Sequence, residues 1–276
     1  MSSRTQVWGV LNVTPDSFSD GGQFKTRRDA LMHVQAMLDA GADVIDIGGE
    51  STRPGASKIT IAEELKRVIP MVKAVATSGV PVSIDTMNAE VAHQAVLAGA
   101  SIINDVSGGL NDPDILRVAA QHSVDIVLMH WRGHSDVMDQ LATYSDVTAE
   151  VVAELTQRKE AALRAGIHEN RIILDPGFGF AKTPEHNWQL LRDIQDWTTL
   201  GTRVLVGVSR KRFLSECVAD DSDGSPRDRD PATAAVTAFA ALHGVWGVCV
   251  HDVAASIATV KVASQLHVAT KPWEIW

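Results

Sequence analysis

A single-domain (β/α)8 TIM barrel is the fold this sequence predicts, and three observations predict it. Short runs rich in Val and Ile recur along the 276 residues. These runs are apolar on both alternations, which suits parallel strands covered on both faces. Between them lie segments with helical spacing and legible ends, and no linker divides the chain, so one domain is expected over residues 1–276. A doubly wound open sheet shares this alternation and is the competing architecture.

The strand candidates, in order, are VWGVLNV (7–13), DVIDIGG (43–49), VPVSIDT (80–86), SIINDVS (101–107), DIVLMH (125–130), IILDPG (172–177), VLVGVS (204–209) and VWGVCVHDV (245–253). After the first, Thr26 can cap a helix whose Ala30, Leu31, Val34, Met37 and Leu38 share a face, with Gly41 as its stop. Thr60 and Glu63 have capping-box spacing before the second helix. Pro70 falls inside that helix pattern and should kink it. Asp112-Pro113, Thr183-Pro184 and Asp230-Pro231 each set a capping side chain before a proline suited to a first helical turn. The acidic stretch 219–230, after the seventh run, reads as a solvated connection. Two βα connections, TPDSFSDGG (14–22) and ESTRPGA (50–56), combine Gly or Pro hinges with polar residues and are expected to be long mobile loops that close over a ligand.

The balance of 34 acidic against 25 basic residues gives a formal charge of -9. An acidic surface disfavours nucleic acid or membrane as a partner, since both recruit basic patches. Two cysteines in a chain of this length suggest neither a disulfide framework nor a zinc site. The segment MSSRTQVWGV carries no apolar signal run, so a soluble cytoplasmic protein is expected. No nucleophile elbow, HExxH, CxxC or GxGxxG spacing is visible, which disfavours a hydrolase with an activated nucleophile. His130, beside Trp131, reads as structural.

In a barrel the functional groups gather at the C-terminal ends of the strands. The polar residues there are Asn12, Asp85, Asn104 with Asp105, Asp175, Ser209 with Lys211, and His251 with Asp252. Any one of them taken alone has a plain explanation as a turn or helix cap. Together, the acids and amides suit a flat heterocycle that presents amino and ring N–H donors. Lys211 and Arg53 supply positive charge for an anionic group, and Asn12, Thr52 and His251 add contacts of the kind phosphate oxygens use.

Several segments carry a resemblance: GVLNVTPDSFSDGG (9–22), ADVIDIGGESTRPGA (42–56), SIDT (83–86), INDVSGG (103–109), LMH (128–130), ILDPGFGFAK (173–182), GVSRKRF (207–213) and VHDV (250–253). In order and over nearly the whole chain, they resemble the dihydropteroate synthases, and look most similar to actinobacterial members. That resemblance implies a pterin-binding barrel that joins 6-hydroxymethyl-7,8-dihydropterin pyrophosphate to p-aminobenzoate in folate biosynthesis, releasing pyrophosphate by an SN1-like substitution. It implies that Asp85, Asn104, Asp175 and Lys211 hold the pterin. Asn12, Arg53 and His251 would meet the pyrophosphate, with Asn12 also reaching a Mg2+. Phe18, Thr52, Pro54, Phe180, Ser209 and Lys211 would form the p-aminobenzoate pocket. Asp85, Lys211, Arg53 and Asp20 would carry the catalytic roles, Asp20 from the first closing loop. Sulfonamides as inhibitors and a homodimer are implied as well.

One position departs from the resemblance. The strand-eight motif of that family reads Arg-x-His-Asp, whereas this chain has Cys249-Val250-His251-Asp252. A cation is therefore missing from the expected anion site, with Arg210 and Arg212 as the nearby replacements to consider. Cys249 reads as a small buried sulfur rather than a working thiol. Two other activities stay open on these residues: a pterin-binding paralogue with little turnover, and a pterin-dependent methyltransferase that would need a corrinoid partner.

Overall fold

The computed structural model describes residues 4–13, 27–50, 58–218 and 224–269. Eight parallel strands form a closed barrel in sequence order. They are β1 (Gln6–Asn12), β2 (Val44–Gly48), β3 (Val82–Asp85), β4 (Ile102–Asp105), β5 (Asp125–Met129), β6 (Ile172–Asp175), β7 (Arg203–Val206) and β8 (Gly247–Val250). Pairing of β1 with β8, Trp8 opposite Cys249, closes the ring and excludes the open sheet. Except for β1, each strand is shorter than its apolar run, because the last residues of the runs turn away into the βα connections.

The main helices are α1 (Arg27–Ala40), α2 (Ile61–Ala76), α3 (Ala89–Leu97), α4 (Asp114–His122), α5 (Val147–Arg164), α6 (Pro184–Arg192), the short α7 (Ile194–Thr198), α8 (Asp230–Leu242) and α9 (Val253–Ala269). They follow the strands around the outside. Strand parity then separates two cores. Ile45, Ile47, Ile84 and Ile103 point outward and join Val34, Val68, Val91 and Ile115 from the helices. Trp8, Val44, Ile102, Val127, Ile173 and Leu205 point inward and fill the lower lumen, with Cys249 packed against them. Burying a side chain of this size contributes about 1.5–3 kcal/mol, so both layers hold the ring closed.

The helix signals fared unevenly. Ala30, Val34 and Met37 are buried under α1 as expected, and Gly41 ends it at φ 99°; Thr26 lies outside the described residues. Thr183 and His186 make a full capping box. At α2 only half of the box forms: Thr60 Oγ1 accepts from Glu63 N at 3.2 Å, while the Glu63 carboxylate turns to Arg67 Nε at 2.9 Å. A charged partner one turn along outcompetes the backbone N–H. The helix runs through Pro70 as one element. Asp112 serves two helices, accepting from Ala89 N (2.8 Å) and Asp114 N (3.2 Å). Asp230 is no cap. It lies within α8 and forms a two-pronged ion pair with Arg210, both contacts 2.7 Å. Among the described residues no helix is long and apolar enough to cross a membrane.

Candidate functional site

The register sets four residues at one level across adjacent strands: Asn12 beside Gly48, Gly48 beside Asp85, and Asp85 beside Asn104. Gly48 leaves a gap in this rung. A Cβ there would stand 3.3 Å from Asp85 Oδ2 and 3.5 Å from Asn12 Oδ1. Asp175 ends β6 beside Met129, and Gly207, just past β7, leaves its own opening, where a Cβ would meet Asp175 Oδ2 at 3.6 Å. Acids and amides thus surround a space from which two side chains are missing. The sequence reading found the acids and did not notice that these glycines make room between them.

One layer deeper lies Asp46, which that reading also missed. Its neighbours Ile45 and Ile47 face outward, so Asp46 faces the lumen, where Oδ2 accepts from Asn104 Nδ2 at 3.1 Å. Among the described residues its other oxygen, Oδ1, has no hydrogen-bond partner, and neither does Ser83 Oγ on the adjoining strand. Burial raises the Asp46 pKa. Asp85 is pushed well above the usual carboxylate range, first by desolvation and then by the charges of Asp46 and Glu64. Asp175 is raised by burial, with Lys211 and the Gly177 N–H opposing the shift. A site that raises the pKa of several carboxylates favours a ligand bringing N–H donors or positive charge.

Lys211 faces this group. Burial lowers its pKa to about 8, with Asp175, Cys249 and Asp85 acting in the opposite direction. Its Nζ donates to the Phe178 carbonyl and lies 4.5 Å from the centre of the Phe180 ring. Ser209 and His251 touch: Ser209 Oγ lies 3.0 Å from His251 Nδ1 and accepts from His251 N at 3.1 Å. The two positions are 42 residues apart and meet because β7 and β8 are neighbours. Asp85, Asn104, Asp175, Lys211, Asn12, Phe180, Ser209 and His251 therefore all stand at the C-terminal mouth. Phe18, Asp20, Thr52, Arg53 and Pro54 lie outside the described residues.

Other strand-end acids are occupied elsewhere. Asp105 points away from the lumen and accepts from Ser107 N, Ser107 Oγ and Gly109 N at 2.6–2.8 Å; burial raises its pKa to about 6. Asp252 accepts from Ala255 N at 3.1 Å in the first turn of α9. Both follow the plain turn-and-cap explanation.

Cys249 Sγ lies 3.8 Å from Asp46 Oδ2, and burial together with Asp46, Asp175 and Asp85 pushes the thiol pKa well above its ordinary value. It is a neutral thiol, without the thiolate character a nucleophile needs. The replacement cations do not fill the gap. Arg210 is engaged by Asp230, and Arg212 is exposed, 4.0 Å from Asp139. No cluster of three or more His, Cys, Asp or Glu suited to a metal occurs among the described residues.

A closed barrel whose C-terminal mouth gathers acids and amides around an opening, with a lysine opposite, is the architecture of a TIM-barrel enzyme that binds a donor-rich ring. The chain belongs to the family described as pterin binding enzyme, whose model matches residues 8–251. It is 49% identical to the dihydropteroate synthase of Mycobacterium leprae over 93% of this chain and 92% of that one. The dihydropteroate synthase of Bacillus subtilis is 45% identical over 91% of this chain and 84% of its own length. Among solved structures, Xanthomonas albilineans dihydropteroate synthase with 4-aminobenzoic acid is similar at 42% identity and a TM-score of 0.87, covering 96% of this chain and 93% of that one. A Yersinia pestis dihydropteroate synthase with a sulfonamide drug complex has 39% identity and a TM-score of 0.90, covering 98% and 96%.

Proposed function

We propose that this chain is a dihydropteroate synthase, joining 6-hydroxymethyl-7,8-dihydropterin pyrophosphate to p-aminobenzoate with release of pyrophosphate. The observation that carries the reading is the rung Asn12–Gly48–Asp85–Asn104 with Asp175 and Lys211 at the same mouth. Its relatives, solved with 4-aminobenzoic acid and with 7,8-dihydropteroate, support the substrate pair. In this reading the chain acts as one barrel domain in the cytoplasm, as a homodimer.

Asp85, Asn104 and Asp175 accept the amino and ring N–H donors of the pterin, and Lys211 donates to its oxygen. These contacts place the exocyclic C–O bond toward Asn12 and His251. As that bond breaks, positive charge spreads into the ring, and Asp85, ionised by the arriving donors, opposes it. Arg53, His251 and Asn12 hold the departing diphosphate. The aromatic amine then attacks from a pocket made by Phe180, Ser209 and Lys211 with Phe18, Thr52 and Pro54, and sheds its proton on bond formation. Asp20 helps to exclude water from the cation.

The donor set suits a bound Mg2+. Asn12 offers one amide oxygen, a smaller and weaker set than the one or two carboxylates Mg2+ usually takes, so substrate phosphates and water would supply most of its shell. The ion would neutralise charge on the leaving diphosphate.

The test is pyrophosphate release by the purified protein with both substrates and Mg2+. Turnover that requires both supports the reading. Pterin binding without release points to the low-activity paralogue, and dependence on methyltetrahydrofolate with a corrinoid partner points to the methyltransferase. Sulfonamide competition against p-aminobenzoate is expected, since Phe180, Ser209 and Pro54 keep the ordinary pattern.

A further inference from the structure

The connection from β6 to α6, residues 176–183, carries a buried lysine that the proposed chemistry does not use. Lys182 is 8% exposed and meets three acceptors: the Gly177 carbonyl at 3.0 Å, the Phe180 carbonyl at 3.1 Å and His130 Nδ1 at 3.0 Å. Burial and the nearby Lys211 pull its pKa well below the ordinary lysine value, with Asp175 and Glu154 opposing, yet three acceptors engage three N–H groups, the full set of an ammonium, so the geometry is that of the charged form. With Nδ1 accepting, the imidazole hydrogen sits on Nε2, which lies 3.0 Å from Glu154 Oε2 on α5. Glu154 Oε1 is held in turn by Arg132 Nε at 3.1 Å. Charge thus alternates along a line from Lys182 through neutral His130 to Glu154 and Arg132. Burial and the neighbouring Lys182 lower the His130 pKa to about 4, in keeping with a neutral ring.

The same turn is held at other points. Tyr144 Oη donates to the Ala181 carbonyl at 2.9 Å, Asn187 Oδ1 accepts from Gly179 N at 2.6 Å, and Lys211 Nζ donates to the Phe178 carbonyl. The turn needs such anchoring because Ala181 sits at φ 47°, in a region that costs an L-residue about 1–2 kcal/mol. The result is a peptide segment clasped between two lysines. Lys182 grips it through the Gly177 and Phe180 carbonyls, and Lys211 grips it through the Phe178 carbonyl and the Phe180 ring.

We infer that Lys182, anchored through His130 to Glu154, is a positioning residue that sets the backbone and ring of Phe180 and so tunes recognition of the aromatic amine. The inference rests on the synthase reading, which gives Phe180 to the second substrate's pocket alone, whereas Lys211 serves both substrates. Lys182 makes no hydrogen bond to the rung Asn12–Gly48–Asp85–Asn104, and reaches the pterin side only through its charge on Asp175. Its loss moves the second substrate's affinity by much more than the first's. A role confined to holding the fold would weaken both together.

The test compares Lys182→Met, His130→Leu and His130→Asn with the parent protein by thermal unfolding, by calorimetry with the pterin pyrophosphate alone, and by steady-state kinetics. The amide oxygen that His130→Asn introduces can still accept from the Lys182 ammonium, so this is the conservative variant. In Lys182→Met and His130→Leu the KM for p-aminobenzoate should rise about tenfold, the cost of one hydrogen bond to a charged group, with pterin affinity held within about twofold. His130→Asn should recover most of that loss. An unchanged KM, a parallel loss of pterin affinity, or no difference between the two His130 variants would overturn the inference. The His130 pair decides the matter by itself where Lys182→Met fails to fold. Absence of turnover in the parent protein would instead sink the synthase reading.

Discussion

Replacing Cys249 by arginine should put a cation into the proposed diphosphate site, and the structure bounds its effect. Cys249 lies on β8 two residues before His251, so both side chains face the lumen, with Cys249 one layer below the mouth beside Asp46. Asp46, Asp85 and Asp175 all act on the thiol, and Lys211 is the cation that opposes them. A guanidinium entering here meets Asp46 first, since its Oδ2 is 3.8 Å from Sγ and its Oδ1 has no hydrogen-bond partner among the described residues. Part of the new charge is spent on that carboxylate and part is left for the diphosphate. The lower end of the range for a hydrogen bond to a charged group, about 1.5 kcal/mol, is therefore expected, which is about tenfold in affinity. Calorimetry with the pterin pyrophosphate should show this tightening, while the corresponding alcohol, lacking phosphates, should bind Cys249→Arg and the parent alike. Equal tightening of both ligands, or of neither, would refute the assignment of this strand face to the diphosphate.

Pterin binding should release protons wherever the free Asp85 is protonated: burial and neighbouring charge raise the Asp85 pKa, and the ligand's donors favour the ionised form, so the binding enthalpy should vary with the buffer's ionisation enthalpy. Because Lys211 titrates at about 8 and serves as a cation, kcat/KM should fall as pH rises through that value, and Lys211→Arg should shift the falling limb upward. Asp85→Asn should lower kcat/KM by about ten- to a hundredfold, the loss of a charged acceptor, while the thermal midpoint holds or rises because a strained buried acid is gone. Gly177→Ala should destabilise by about 2 kcal/mol or more in urea unfolding, because its φ is 70° and the new Cβ would lie 2.4 Å from the His130 carbonyl oxygen.

Much of the fold was legible because barrel strands are apolar on both faces and their helices carry caps. Thr183 with Pro184 announced α6 and the structure has the full box. Asp230 with Pro231 looked equivalent, yet Asp230 is taken by Arg210. Local spacing cannot see a partner 20 residues away that arrives through tertiary packing. The candidate site was legible to the same degree. Asp85, Asn104 and Asp175 stood out as polar ends of apolar runs, and the structure brings them to one mouth. Asp46 was hidden inside its run, and Lys182 closes the segment ILDPGFGFAK without any local signal that its side chain is buried.

By itself the sequence determined the order of the elements, the barrel they build and the family they belong to, since these follow from periodicity and motifs spread along the chain. Only the tertiary structure decided which acids see the lumen. Asn104 and Asp105 are neighbours of similar size on one strand, yet one faces Asp46 across the barrel and the other closes a turn outside it. When both faces of a strand are apolar, alternation assigns two sides but does not say which is inside. That choice is made when the ring closes and the register of each strand is set against the next.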